Sequence, residues 1–116
     1  MNRGSFNKVL PIYLNGEVPF SLILLDIDTF KFYNDNYGRQ LGDEVIKRVA
    51  SQLESTFRSK DYVFRIGGDE FAIIVVEMPS ANKDSISKRL EKLKIELIKS
   101  EKDIPPVTIS AGITFS

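Results

Sequence analysis

Apolar residues recur along the chain with two different spacings, and these spacings predict where helices and strands lie. Three stretches place apolar residues three or four positions apart, the spacing of a helix with one buried face. They are residues 2–14, 42–57 and 86–97. Four further stretches are short, apolar and rich in residues that favour strands. They are residues 20–26, 62–66, 71–76 and 107–115.

The composition of three of these strands predicts more about their place in a sheet. The unbroken apolar run at 22–25 is typical of a central strand buried on both faces, and that strand ends in Asp26. Residues 62–66 and 71–76 flank the sequence Gly-Gly-Asp-Glu at 67–70. This arrangement predicts a β-hairpin whose paired glycines supply positive φ angles at the turn.

Two helices are predicted between the first strand and the hairpin. A short helix covers residues 30–37 and ends at Gly38. A longer helix opens at Gly42 and Asp43, with Asp43 as its N-cap or as an acid of its first turn. The predicted order is α, β, α, α, β, β, α, β. This order favours an α+β fold of ferredoxin-like kind, with a central, mainly antiparallel sheet flanked by helices.

Composition limits the classes of function that the chain can have. Its 116 residues suit one domain, and 16 basic and 16 acidic residues cancel, so no overall field attracts nucleic acid or an anionic membrane. The absence of cysteine and histidine excludes disulfides, thiolate metal sites and imidazole bases, and it fits a reducing cytoplasm. No apolar run approaches the roughly 18 residues of a membrane span.

Carboxylates are the acid–base and metal-binding groups that remain, and several fall at the ends of predicted strands. If the first strand pairs with the hairpin, Asp26 and Asp28 approach Asp69 and Glu70. Oxygen ligands alone select a hard ion, Mg²⁺ or Mn²⁺, and Mg²⁺ favours a nucleoside triphosphate as partner. Asp26 and Asp69 are the predicted metal pair. Asp28 could instead only cap the next helix, and the simpler alternative for the hairpin is a solvated polar turn.

Groups suited to phosphate and to a base follow the first strand. The start of the helix at 30–37 presents free N–H groups to phosphate oxygens, and Lys31 adds a positive charge. Asn34 and Asp43 could offer an amide and a carboxylate to one purine edge. Because a carboxylate accepts from the N1–H and N2–H₂ donors of guanine, Asp43 favours guanine over adenine.

Several motifs together resemble the GGDEF family of diguanylate cyclases. Residues 67–71 are the family's Gly-Gly-Asp-Glu-Phe signature, and DIDTFKFYND at 26–35 resembles its D-x-D-x-F-K-x-x-N-D segment. The Gly-Asp pair at 42–43, N-R-x-x-F at 2–6 and TISAGIT at 108–114 resemble further family segments, in the same order. The resemblance covers essentially the whole chain.

The resemblance implies a palm-like nucleotidyl cyclase fold and the condensation of two GTP into cyclic di-GMP and two pyrophosphates. It also implies a homodimer with one GTP in each domain, and Mg²⁺ or Mn²⁺ as cofactor. The resemblance implies that Asp26, Asp69 and the Ile27 carbonyl bind the metal, and that the Thr29 and Phe30 amides and Lys31 bind the β- and γ-phosphates. It implies that Asn34 and Asp43 recognise guanine. It also implies a catalytic role for Glu70, as base or orienting group near the attacking 3′-hydroxyl.

A second nucleotide site is predicted before the hairpin. The sequence from Arg58 to Asp61 resembles the family's R-x-x-D inhibitory motif, which implies product inhibition by cyclic di-GMP. Arg58 could fork onto guanine or phosphate, Asp61 could accept from guanine N–H groups, and Arg89 could join them. The alternative is an ordinary salt bridge at a helix end.

The sequence also departs from the family pattern. Arg39 stands where the family usually has histidine, and the family's lead-in before Asn2 and its final helix, with two cationic phosphate ligands, are missing. We therefore expect residues 1–116 to be a single domain, trimmed at both ends, of a longer protein with sensor domains elsewhere. A membrane anchor in that longer protein is compatible with this expectation. A non-cycling module that senses GTP or cyclic di-GMP is the alternative function. A palm-like polymerase or adenylyl cyclase lacks support from Asp43.

Overall fold

The helices and strands follow one another in the predicted order. The computed structural model describes residues 2–28, 30–58, 60–76, 83–99 and 106–115. The elements are α1 (Arg3–Leu14), β1 (Phe20–Ile27), α2 (Phe30–Tyr37), α3 (Arg39–Thr56), β2 (Tyr62–Arg65), β3 (Glu70–Val76), α4 (Lys83–Ile98) and β4 (Ile109–Phe115). Each strand begins and ends within two residues of its predicted bounds.

The four strands form one antiparallel sheet in the order β2-β3-β1-β4. β1 is central, between β3 and β4, as its apolar run predicts. Its register with β3 places Asp26 opposite Glu70, and its register with β4 places Asp26 opposite Ser110. The predicted ferredoxin-like α+β fold, with an antiparallel sheet flanked by helices, is confirmed.

One face of the sheet forms the larger hydrophobic core. Alternate residues of β1, namely Ile23, Leu25 and Ile27, are buried in this core, as the period of two along a strand requires. Helices α3 and α4 cover it with apolar residues at helical spacing. These are Val45, Ile46, Val49 and Leu53 from α3, and Ile86, Leu90, Leu93 and Leu97 from α4.

The opposite face is covered mainly over β2 and β3, where α1 packs. The rings of Phe6 in α1 and Phe64 in β2 lie edge to face with their centroids 5.2 Å apart. Leu24 in β1 remains 49% exposed, so the prediction that β1 is buried on both faces is wrong on this side. On this side Leu24 lies opposite Gly112 of β4, which has no side chain, and α1 packs over β2 and β3 instead.

Helix α3 begins earlier than the sequence predicts. Gly38 adopts φ 88° and ψ 163° at its N-cap position, and the helix runs from Arg39. Asp43 is therefore the fifth residue of α3, so its predicted role as N-cap or first-turn acid is wrong. Gly38 both ends α2 and begins α3, because its left-handed φ lets the chain turn between the two helices within one residue.

A half-buried arginine joins α3 to the end of α4. Arg48 donates from Nη2 to the carbonyls of Glu96 at 2.6 Å and Lys99 at 2.7 Å, and so satisfies acceptors that a helix end leaves open.

Among the helices of the described residues, none combines the length and the apolar character that crossing a membrane requires.

Candidate metal and nucleotide site

Three carboxylates meet at the edge of the sheet where β1 ends and the hairpin turns. Asp26 lies opposite Glu70, and the Ile27 N–H donates to the Asp69 carbonyl at 3.0 Å. Carboxylate oxygens of Asp26, Asp69 and Glu70 lie within 4.8 Å of one another. The structure therefore brings together the three acids that the pairing of the first strand with the hairpin predicts.

Asp28 does not belong to this group of acids. Its Oδ1 accepts a hydrogen bond from the Ser110 hydroxyl at 2.6 Å, and its N–H donates to the Thr108 carbonyl at 2.9 Å. The predicted approach of Asp28 to Asp69 and Glu70 is wrong, because these two bonds turn the residue toward β4. Asp28 instead fixes the chain between β1 and α2.

The hairpin turn is held by hydrogen bonds and by close packing. The Glu70 carbonyl accepts from the Ile66 N–H at 2.9 Å, and the Arg65 guanidinium donates to the carbonyls of Gly67 at 3.2 Å and Gly68 at 2.8 Å. Neither glycine has a left-handed φ, so the predicted positive φ angles are wrong. A Cβ at Gly67 would lie 3.0 Å from Oε1 of Glu70, so the Glu70 side chain would have to shift by a few tenths of an ångström to admit it.

The three acids have the donor set of a hard divalent cation. All offer oxygen ligands, Asp69 is half-buried, and Asp26 and Glu70 are exposed, so a ligand can reach them. Two carboxylates about 4 Å apart repel each other by roughly 4 kcal/mol at an effective dielectric constant near 20. A cation with several oxygen ligands removes this repulsion, so the arrangement fits Mg²⁺ or Mn²⁺.

The residues predicted to bind phosphate and guanine lie on α2 and α3. Thr29 is outside the described residues, and α2 begins at Phe30 with Lys31 exposed in its first turn. The half-buried side chain of Asn34 packs against α3 at Gly42, the residue before the exposed Asp43. The structure thus places Asn34 against the helix turn that carries Asp43.

The structure also brings Arg58, Asp61 and Arg89 together. The Arg58 guanidinium donates two hydrogen bonds to the Asp61 carboxylate, from Nε to Oδ2 at 3.1 Å and from Nη2 to Oδ1 at 3.0 Å. Nη1 of Arg89 lies 4.0 Å from Oδ2 of Asp61. The Asp61 side chain has 0% exposure and also accepts from the N–H groups of Arg58 at 2.9 Å and Val76 at 3.0 Å. The side chains of Arg58 and Arg89 are 32% and 26% exposed.

Sequence reasoning missed three residues that support these sites. Arg65 holds the hairpin turn, Ser110 holds Asp28, and the Val76 N–H binds Asp61. An arginine two residues before paired glycines is a signal that could have identified Arg65. The other two contacts join residues far apart in sequence, and only the sheet register reveals them.

The chain is similar to known proteins along nearly its whole length. A family model described as diguanylate cyclase, GGDEF domain, matches residues 1–116. Diguanylate cyclase VdcA of Vibrio cholerae is 34% identical over 116 residues, which covers 97% of this chain and 34% of VdcA. Diguanylate cyclase DosC of Escherichia coli strain K12 is 37% identical over 100 residues, covering 82% of this chain and 22% of DosC. The chain thus spans about a third or less of these relatives.

Solved structures with the same fold cover nearly the whole chain. The GGDEF domain of DgcB from Caulobacter crescentus, in complex with c-di-GMP, has a TM-score of 0.83 and 30% identity and covers 99% of this chain and 72% of that one. Diguanylate cyclase SiaD from Pseudomonas aeruginosa, in complex with its activator SiaC, has a TM-score of 0.81 and 25% identity. That match covers 99% of this chain and 46% of SiaD.

Proposed function

The chain belongs to the GGDEF domain family, and from this premise we propose that it condenses two GTP molecules into cyclic di-GMP and two pyrophosphates. In this proposal each domain holds one GTP, and two domains face each other to bring the nucleotides together. The observation that carries the proposal is the meeting of Asp26, Asp69 and Glu70 at the hairpin. A solvated turn does not require three carboxylates from two strands within 4.8 Å.

The proposed reaction is two successive in-line displacements. The 3′-oxygen of one GTP forms a bond to the α-phosphorus of the other, and the bond from that phosphorus to pyrophosphate breaks. Glu70 accepts or orients the proton of the attacking 3′-hydroxyl. The same displacement in the opposite direction closes the ring and releases the second pyrophosphate.

In this proposal two groups of residues bind the triphosphate. The acids at the hairpin hold the metal ion, and the start of α2 binds the phosphates. Asp26, Asp69 and the Ile27 carbonyl would hold Mg²⁺ or Mn²⁺, which when bound supplies positive charge next to the reacting phosphate oxygens. Lys31 and the amides of Thr29 and Phe30 bind the β- and γ-phosphates. The exposed position of Lys31 in the first turn of α2 supports its role.

Asn34 and Asp43 read guanine in this proposal. The packing of Asn34 against Gly42 supports the pairing, because it places the amide beside the α3 turn that carries Asp43. An exposed carboxylate at Asp43 can accept from N1–H and N2–H₂ of guanine. Adenine presents an acceptor at N1, which the carboxylate repels.

A calorimetric titration of the chain with GTP, with and without Mg²⁺, tests the proposal. We expect GTP binding that depends on Mg²⁺ and weakens by at least about tenfold in Asp69→Asn, because a charged ligand is lost. Asp84→Asn makes the same change at an exposed position of α4 and serves as the control. Equal GTP binding by Asp69→Asn, or binding that survives chelation of Mg²⁺, would show that the acids do not form the site.

A second candidate function is that of a sensor that binds cyclic di-GMP without turnover. It is favoured by the cluster of Arg58, Asp61 and Arg89. Nη1 of Arg89 is buried and, within the described residues, makes no hydrogen bond. The Arg89 side chain as a whole is 26% exposed, and in this proposal its guanidinium donates to a phosphate oxygen of the ligand.

Titration with cyclic di-GMP tests whether the cluster of Arg58, Asp61 and Arg89 binds this ligand. We expect Arg89→Ala to weaken cyclic di-GMP binding by about tenfold or more, because a charge-assisted hydrogen bond is lost. Its Mg²⁺-dependent GTP binding should be unchanged, since the Arg89 cluster lies away from the hairpin acids. Lys88→Ala, at an exposed neighbouring position, is the control. Unchanged cyclic di-GMP affinity in Arg89→Ala would show that the cluster is a structural salt bridge and does not bind the ligand.

A further inference from the structure

The turn between α2 and α3 brings two helices into close contact. Gly38 is the one residue between them and adopts a φ of +88°. Its N–H donates to the Asn34 carbonyl at 3.0 Å, and its carbonyl accepts from the Gly42 N–H at 3.3 Å. Asn34 and Gly42 are thereby fixed one turn to either side of the same corner.

Gly42 leaves the space that the Asn34 side chain occupies. A Cβ at residue 42 would overlap the amide oxygen of Asn34 and lie 3.0 Å from its Cγ. The same Cβ would lie 3.5 Å from Cζ of Phe30, which is an ordinary contact. Glycine is disfavoured inside a helix relative to alanine, so its presence in the buried part of α3 calls for a reason of this kind.

We infer that Gly42 is a positioning residue that sets the guanine selectivity of the site by holding Asn34 against α3, next to Asp43. The inference rests on the proposed function, because it requires that Asn34 contacts the base. Gly42 itself touches no substrate atom in this account. It acts because any side chain at residue 42 displaces the Asn34 amide.

The displacement is confined to the Asn34 side chain. The overlapping atom is the terminal oxygen of a side chain that can rotate, whereas the contact to Phe30 needs no movement. Gly42→Ala should therefore fold, and its melting temperature should equal or exceed that of the unmodified chain, since alanine favours the helix. Asn34 then loses its hydrogen bond to guanine, which weakens GTP binding by about three- to tenfold.

A double-mutant cycle tests the inference on the full 116-residue chain. GTP and ATP are titrated into the unmodified chain, Gly42→Ala, Asn34→Ala and the double variant, all with Mg²⁺. We expect Gly42→Ala to lower the affinity for GTP and not for ATP, and to have less than about a twofold effect when Asn34 is already alanine. Gly4→Ala is the matched control in a helix, where a new Cβ meets Asn2 at an ordinary 3.4 Å.

Two results of these titrations would overturn the inference. One is unchanged GTP affinity in Gly42→Ala. The other is that Gly42→Ala lowers the GTP affinity by the same factor in the unmodified chain and in Asn34→Ala. If the unmodified chain binds no GTP, the proposed function fails, and the position of Asn34 is read from its side-chain amide resonance in a proton–nitrogen NMR spectrum. A resonance that moves in Gly42→Ala and not in Gly4→Ala supports the positioning role, and a resonance that stays in place overturns it.

Discussion

The carboxylate of Asp61 has no exposed surface and is surrounded by donors of the protein itself. It accepts from the backbone and side chain of Arg58 and from the N–H of Val76, the last residue of β3. Arg58 also donates to the Val76 carbonyl at 2.5 Å. The pair therefore joins the connection between α3 and β2 to the end of β3.

Arg58→Ala should destabilise the fold. Removing one partner of a buried ion pair leaves an uncompensated charge, which typically costs about 3–5 kcal/mol. We expect the lower end, near 3 kcal/mol, because two backbone N–H groups still donate to Asp61. Urea unfolding followed by circular dichroism measures the loss of free energy of unfolding.

Lys47→Ala is the control for this measurement. It breaks the ion pair with Glu44, whose atoms are 3.6 Å apart with the Lys47 side chain 75% exposed, and such a pair contributes less than about 1 kcal/mol. A loss in Arg58→Ala no larger than in Lys47→Ala would contradict the structural role. For this reason Arg89→Ala, rather than Arg58→Ala, is the variant suited to testing cyclic di-GMP binding.

At the scale of elements, the meeting of the three acids could be predicted because it follows from the pairing of two strands that the sequence identifies. An apolar strand ending in Asp26 and a hairpin with Asp69 and Glu70 at its turn lead to the observed site once the strands pair. Predicting this requires only that neighbouring apolar strands share a sheet. The order of elements and the central place of β1 follow from the same patterns.

The roles of the glycines could not be predicted in the same way. The sequence predicts that Gly38 ends a helix, but not that it begins the next one, and it predicts positive φ angles at Gly67 and Gly68 that the structure does not have. The observed roles of Gly42 and Gly67 depend on which side chain packs against each backbone atom. Such contacts are set by the crossing of elements in space, and no local sequence pattern reports them.

At the scale of the whole molecule, the two candidate sites lie at opposite ends of β3. Glu70 begins this strand and Val76, which binds Asp61, ends it. Six steps along a strand span about 20 Å, so a ligand at Arg58 and Arg89 cannot touch the acids at the hairpin of the same chain. Inhibition by cyclic di-GMP would therefore have to change how two domains face each other, or the shape of the sheet.

The proposed reaction also requires two copies of the chain, because each contributes one set of acids and one GTP. An excess of Asp69→Asn chain should then suppress the unmodified chain, by pairing with it in inactive dimers. With a tenfold excess and random pairing, cyclic di-GMP formation should fall to about a tenth of that of the unmodified chain alone. Product is measured by chromatography, with an unrelated protein in equal excess as the control.

Undiminished product formation would mean that a single chain carries out both displacements, or that the chains do not exchange partners. Light scattering on the same mixture distinguishes these, since only the first predicts a monomer.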